Sequence, residues 1–429
     1  MLATAIGLPF LHERAKGARV RTVFAGGRVF DGTGAAVAEA DVAVVDGRFA
    51  EVGVGLDGDE QIDVGGSTLL PGLFDTHVHV MIGHVDAWRL MQDPFSYRFY
   101  DAIRNLDATL RIGITTVRDA GGADLGVKQA LEEGIVRGPR VQISIKMLSQ
   151  TGGHGDGWLP SGAQAEIFPD YPGAPGAIVD GPDECRRRVR ELVRAGAEVI
   201  KIATSGGVLS PRDKPQQPGF DVQEIEAIVA EARAADLWVM SHAQSTVGIK
   251  NAVRAGVRSI EHGIYLDDEA IALMLEHGAY LVPTLVAALG VIRAADAGAP
   301  IPEFAVTKAR DVMEAHRDSF RRAVEAGVKV AMGTDAGVVP HGTNLEELQL
   351  MADGGMTPED VLVATTKAAA ELMGMGRELG TIEQGKRADL VVVSGDPFDF
   401  TDLAGRIERV YQDGRLVVEA APDPVAAAV

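Results

Sequence analysis

The 429-residue chain holds a single cysteine, Cys185, no long run of lysines or arginines, and no apolar run near the ~20 residues a membrane-crossing helix needs. One cysteine excludes a disulfide framework within the chain. It lies in Asp-Glu-Cys-Arg-Arg-Arg, an amphipathic helical pattern, and reads as a half-buried structural thiol. The absence of a basic face, with a formal net charge of -20, argues against a nucleic-acid partner, since phosphate binding needs positive charge. The opening stretch, MLATAIGLPFLHERAKGARVR, has an apolar patch but no basic residue before it and no clear cleavage site, which reads as a cytosolic start.

What is present is ordinary globular composition, 46% hydrophobic and 24% charged, enough for a large core and one large α/β domain with a smaller satellite. The first 70 residues read as short strands with glycine turns: Val20 to Phe24, Arg28 to Phe30, Val42 to Val45 and Phe49 to Val52. The far end repeats the pattern, in ADLVVVSGDP from Ala388, in Arg409 to Tyr411, and in Arg415 to Val418 after Asp413-Gly414. Two β-rich ends suggest one small β-sandwich built from residues 1–71 and 380–429.

Between them, from 72 to 379, short apolar runs alternate with helical patterns such as Val222 to Ala234. The runs are Thr115 to Val117, Val141 to Ile145, Val199 to Ile202, Leu237 to Met240, Arg258 to Ile260, Tyr280 to Val282 and Val328 to Met332. Such alternation requires a parallel sheet. With the strand before His77 there are eight strands, the count of a (β/α)8 TIM barrel; a doubly wound sheet is the competing fold.

Barrel active sites lie at the C-terminal ends of the strands, so the polar residues that end these runs matter. The first run ends in His77-Val-His79, two imidazoles on one side of a strand. Others carry Lys201 or lead into His242, His262 and Asp335. One His-x-His is weak evidence, but six such residues at strand ends point to divalent metal, with imidazole and carboxylate suiting zinc and no thiolate nearby. Arg118-Asp119 also ends a strand and reads as a structural ion pair. His12, His84, His277 and His316 lack a strand-end context and read as surface or helix residues.

The motifs PGLFDTHVH, VIKIATSGG, MSHAQ, SIEHG and GTDAG, followed by ATTKAAAELMG, LGTIEQGKRADLVVV and DGRLV, resemble the amidohydrolase superfamily across essentially the whole chain. The resemblance implies a binuclear centre of two divalent ions, with His77, His79 and Asp335 on the buried one and His242 and His262 on the more exposed one. It also implies that Lys201 is carboxylated by carbon dioxide and bridges them. A hydroxide bridging the metals would attack a polarised carbonyl, with Asp335 as general base. A deaminase is disfavoured, because the position three residues after His242 is Ser245 where such enzymes carry a glutamate.

SIKMLSQTGGHGD, Ser144 to Asp156, is similar to a branch containing Xaa-Pro and Xaa-Lys/Arg dipeptidases and ochratoxin-hydrolysing amidases, which release a C-terminal amino acid from an acyl group. The implied readers of the free carboxylate are His154, which also carries a catalytic expectation, Lys146 and Tyr265; His341 is a further pocket candidate. A loop over Ala163 to Asp180, with Trp158 and Leu159 just before it and Phe168 and Tyr171 within it, reads as a lid or an oligomer contact, many relatives being homo-oligomeric rings. Ring-opening of a cyclic amide, as in imidazolonepropionase, and a non-catalytic scaffold are the competing functions.

Overall fold

Apolar runs flanked by glycine turns form two sheets at the chain ends in the computed structural model, which describes residues 19–165 and 167–420. The opening stretch up to residue 18, with His12, lies outside the described residues. Arg48–Gly53, Asp41–Val45, Arg21–Ala25 and Glu60–Asp63 make a four-stranded sheet in that order. A six-stranded sheet draws on both ends, in the order Arg415–Glu419, Ile407–Gln412, Leu390–Ser394, Ser67–Pro71, Arg28–Val29, Ala38–Glu39. Within it Leu390 lies opposite Pro71 and Ser394 opposite Ser67, in an antiparallel register. Phe24, Val42, Val44 and Phe49 of the first sheet share one buried cluster with Leu69, Leu390, Val392 and Tyr411 of the second. At about 1.5–3 kcal/mol for each fully buried side chain, that cluster ties the two ends together.

The middle of the chain alternates strand and helix as its apolar periodicity requires. Leu73–Val78, Ile114–Asp119 and Arg140–Ile143 pair in parallel. Met147–Leu148, Ile200–Ala203, Val239–Ala243, Ser259–His262, Tyr280–Val282 and Lys329–Val330 form a six-stranded parallel sheet in chain order. Six of these strands are buried along their whole length, as befits a parallel sheet covered on both faces. Backbone bonds also link the two sheets, from Thr76 N to Met332 O (2.9 Å), His79 N to Ala336 O (2.7 Å) and Gly122 N to Ile145 O (3.0 Å).

One expected strand differs. The run Val141 to Ile145 breaks at Ile145, which takes φ +67°, and pairing resumes at Met147 beside Ile200–Ala203. A β-branched residue in the left-handed region is strained, and the side chain of the next residue, Lys146, bonds the 163–180 loop at Phe168 O and Asp170. The helix Val222–Ala234 spans the expected residues and opens with a reciprocal cap: Asp221 accepts from Glu224 N, and Glu224 accepts from Asp221 N. Gly72 joins the end sheets to the parallel strands; a Cβ there would overlap Thr115 Oγ1 and Asp389 Cβ, so only glycine lets Ser67–Pro71 run into Leu73–Val78. Cys185, on the helix Gly181–Arg194, is fully rather than half buried, and burial pushes its thiol up to about 12. Among the described residues no helix is long and apolar enough to cross a membrane.

Candidate metal centre

The strand ends bring the imidazoles together. His77 and His79 ring centroids are 5.7 Å apart, His77 and His262 5.2 Å, and His242 and His262 4.7 Å. His77, His262 and Asp335 offer ligand atoms that all lie within 4.8 Å of one another. Asp335 Oδ1 is 3.4 Å from His77 Nε2 and 3.2 Å from His79 Nε2, and Lys201 Nζ is 3.4 Å from His77 Nε2. His262 and Asp335 hold positive φ, +72° and +63°, a strain found where the surroundings fix a functional geometry.

Each imidazole has one nitrogen engaged from behind. Glu261 Oε2 lies 2.8 Å from His77 Nδ1, Gly121 O 2.9 Å from His79 Nδ1 and Thr284 Oγ1 2.7 Å from His262 Nδ1. His242 is turned the other way: its Nε2 donates to Gly206 O at 3.0 Å, leaving Nδ1. At His77, His79 and His242 the partner is a carboxylate or carbonyl, which can only accept, so the facing nitrogen carries the proton and the other presents its lone pair, whereas the Thr284 hydroxyl can donate to or accept from His262. Four pre-oriented ring nitrogens and one carboxylate, nearly dry, form a donor set that fits divalent metal.

The electrostatics agree for three of the four rings; burial acts to lower His79 as well, but Asp335 beside it raises it above the usual imidazole value. Burial lowers His77 to about 4 and, with neighbouring cations, takes His242 and His262 well below the usual imidazole range, so these rings are neutral and able to ligate. Burial also brings the Lys201 ammonium down to about 8. Burial acts to raise Asp335, but His77, His79 and His262 outweigh it and hold the carboxyl well below its usual value.

Several residues that sequence reasoning passed over support this set. Glu261 is wholly buried and meets three donors: His77 Nδ1, Arg118 Nη2 at 3.0 Å and Ser259 Oγ at 2.5 Å. Burial would raise it, yet Arg118 and His77 hold it at about 2. Arg118 therefore pairs with Glu261, not with Asp119, which instead accepts from the backbone of Val80, Gly121 and Ala123. Neighbouring residues of one strand point to opposite faces, so Arg118 and Asp119 cannot meet. His316, on the helix Glu303–Ala326, is buried and donates to the carbonyls of His262 and Pro283, both at 2.9 Å. The signal for Glu261 lay in the sequence: a charged residue inside a run that must be buried demands a buried partner.

The expected substrate-binding residues fare differently. His154 stacks on His242 at 4.1 Å with its Nδ1 2.8 Å from Ser210 Oγ, and the Tyr265 hydroxyl accepts from Gln216 at 2.7 Å. Lys146 is buried and spends its ammonium on Phe168 O and on Asp170 at 2.8 Å. It anchors the 163–180 loop, which Arg98 holds again at Ile167 O. His341 has both nitrogens engaged, by Thr109 Oγ1 at 3.2 Å and His79 O at 3.1 Å, and so braces a strand end. Of the loop aromatics, Phe168 lies 5.5 Å from the His79 ring, Tyr171 packs on Phe95 and Phe99, and exposed Trp158 lies under Arg212. Ser245, where a deaminase would carry glutamate, is buried and caps the helix Thr246–Ala255. His277 ends the helix Asp268–His277 on the exposed side, and His84 lies 3.9 Å from Asp93.

With imidazole, carboxylate and lysine gathered at the ends of buried parallel strands, the relatives of this mixed α/β chain mark it as a hydrolase acting on amide bonds. The sequence model of the amidohydrolase family matches residues 68–417, and the chain belongs to that family. It is 35% identical over 346 residues to ochratoxinase from Aspergillus niger, covering 77% of this chain and 71% of that protein. A solved Xaa-Pro dipeptidase with methionine bound in its active site is 34% identical, with a TM-score of 0.84 over 93% of this chain and all of that one. A prolidase complexed with N-methylphosphonate-L-proline is 38% identical, with a TM-score of 0.86 over the same shares.

Proposed function

We propose that this enzyme hydrolyses the amide bond between an acyl or aminoacyl group and a C-terminal amino acid, using two divalent ions. The convergence of His77, His262 and Asp335 carries the metal reading. Its likeness to ochratoxinase and to Xaa-Pro dipeptidase supports the substrate class. In this reading His77, His79 and Asp335 would hold one ion, His242 and His262 the other, and Lys201 would take up carbon dioxide as a carbamate that adds a further anionic ligand. Zinc suits the imidazole and carboxylate donors. Bound ions supply Lewis acidity, which polarises a carbonyl and eases deprotonation of water.

The chain's own groups do the rest. Burial keeps part of Lys201 unprotonated near neutral pH, as reaction with carbon dioxide requires. Asp335, kept ionised, takes the proton of the attacking water and passes it to the leaving nitrogen. Glu261 fixes the tautomer of His77, and His154 and Tyr265 face the leaving amino acid. The same reading takes the parallel strands of 72–379 as a closed eight-stranded barrel. Support comes from the bonds of Thr76 and His79 to Met332 and Ala336, in the segment that follows Lys329–Val330, and of Gly122 to Ile145. It takes 1–71 and 380–429 as a β-sandwich domain, on the shared cluster of their two sheets.

The test is a screen of N-acyl amino acids, ochratoxin A, and Xaa-Pro, Xaa-Lys and Xaa-Phe dipeptides, run beside metal analysis. Release of the C-terminal amino acid is expected, with close to two ions per chain, and Asp335→Asn should cut turnover at least ~10³-fold by loss of the proton carrier. Cleavage of a cyclic amide alone overturns the substrate class; turnover retained in Asp335→Asn overturns its role.

A further inference from the structure

The two rim residues expected to meet the substrate, His154 and Tyr265, come from distant parts of the sequence, yet one short segment holds both. Residues 206–217 supply Ser210 Oγ, 2.8 Å from His154 Nδ1, and Gln216 Nε2, which donates to the Tyr265 hydroxyl at 2.7 Å. Gly206 O also receives His242 Nε2 at 3.0 Å. At Gly207 a Cβ would overlap the His154 ring, so the segment is shaped to that imidazole.

This segment has no regular secondary structure of its own, and something must fix it. Lys308, from the helix Glu303–Ala326, donates to three of its carbonyls: Gly207 at 3.0 Å, Ser210 at 2.7 Å and Asp213 at 2.6 Å. Three acceptors fill an ammonium's three donors. Lys308 Nζ lies 3.6 Å from Asp213 Oδ1, which also receives Ser210 Oγ. The other oxygen, Oδ2, is buried without a hydrogen-bond partner and lies 3.6 Å from His154 Nδ1. A buried carboxylate oxygen left open on that side alone is aimed at the imidazole it orients. The same helix donates His316 to the carbonyl of His262, so one helix face braces both the ligand strand and the rim.

We propose that residues 206–217 form a positioning element for the leaving amino acid of the substrate. Lys308 and Asp213 are its positioning residues, acting through His154, and Gln216 acts through Tyr265. The inference rests on the amide-hydrolase reading in taking the ligand to be an amino acid. Because the Tyr265 hydroxyl accepts from Gln216, its own proton is free to go to a carboxylate oxygen.

The probes are L-phenylalanine and L-phenylalaninamide, titrated calorimetrically into the wild-type protein as purified and into Asp213→Asn, Lys308→Met, Lys308→Arg and Gln216→Ala. Phenylalanine should bind the wild type. Asp213→Asn and Lys308→Met should weaken it ~10- to 100-fold and Lys308→Arg, which keeps donors for the carbonyls, by less. Gln216→Ala, at an exposed side chain that folding does not need, should weaken it several-fold. Phenylalaninamide binding should move far less in every variant, a contrast that loosened folding does not give. Equal losses for both probes, unchanged phenylalanine binding, or no binding by the wild type overturns the inference. Amino-acid binding that responds to these variants in an enzyme that hydrolyses no amide overturns the proposed function and leaves the positioning element standing.

Discussion

Replacing Glu261 by glutamine removes one charge and changes almost no volume, yet the contacts around this side chain make the exchange costly. Glu261 offers two acceptor oxygens to three donors, from His77, Arg118 and Ser259, with no solvent within reach. Glutamine keeps one acceptor and adds two donors. If its oxygen faces His77, its amide faces the guanidinium of Arg118, itself buried and now without a counter-ion. Removing one partner of a buried ion pair costs about 3–5 kcal/mol. If the amide turns to His77 instead, His77 accepts at Nδ1 and carries its proton on Nε2, the nitrogen directed at Asp335 and Lys201. Loss of such a support behind a ligand lowers metal affinity about 10- to 100-fold. Denaturant unfolding and metal competition with a chelator, measured on Glu261→Gln and wild type, read the two outcomes. At least one must change by these amounts. A variant with wild-type stability and wild-type metal affinity refutes the account of Glu261 as the buried keystone of the site.

Burial sets two further outcomes. Cys185, its thiol pushed up to about 12, should not react with a thiol reagent in the native protein and should give one equivalent on denaturation; rapid native labelling contradicts its burial. Glu347 is wholly buried, accepting from Leu285 N and Val286 N, and burial raises it to about 8 from 4.5. The unfolded chain therefore gives up this proton first, so its contribution to stability is complete below about pH 4.5 and is lost as the pH rises through about 8. Between those values wild type should lose up to about 1.4 kcal/mol per pH unit relative to Glu347→Gln; parallel stability curves for the two proteins contradict it.

Much of this architecture was legible because strand ends carry their chemistry locally. The apolar runs before His242, His262 and Asp335 need no partner to be recognised, and the helix Val222–Ala234 announces itself by Asp221 and Glu224. The strand over Val141 to Ile145 was not fully legible, since nothing local reveals that Ile145 adopts a positive φ. Side-chain partnerships were least legible. Glu261 and His77 are 184 residues apart, and the pairing of Arg118 depends on which face of which strand meets it. Lys146 sits in a suggestive motif, but its fate was decided by Asp170, in a loop whose path periodicity does not predict. Asp213 and Lys308 had no motif at all; only the folded helix brings the lysine to those three carbonyls.

The pairing of Ser67–Pro71 with Leu390–Ser394 sets an order of events during translation. The segment that runs directly into His77 and His79 leaves the ribosome long before its antiparallel neighbour exists. Until then the nascent chain carries an apolar β-edge that a chaperone or another polypeptide can capture. The strand that leads to His77 and His79 therefore gains this neighbour only once Leu390–Ser394 has emerged.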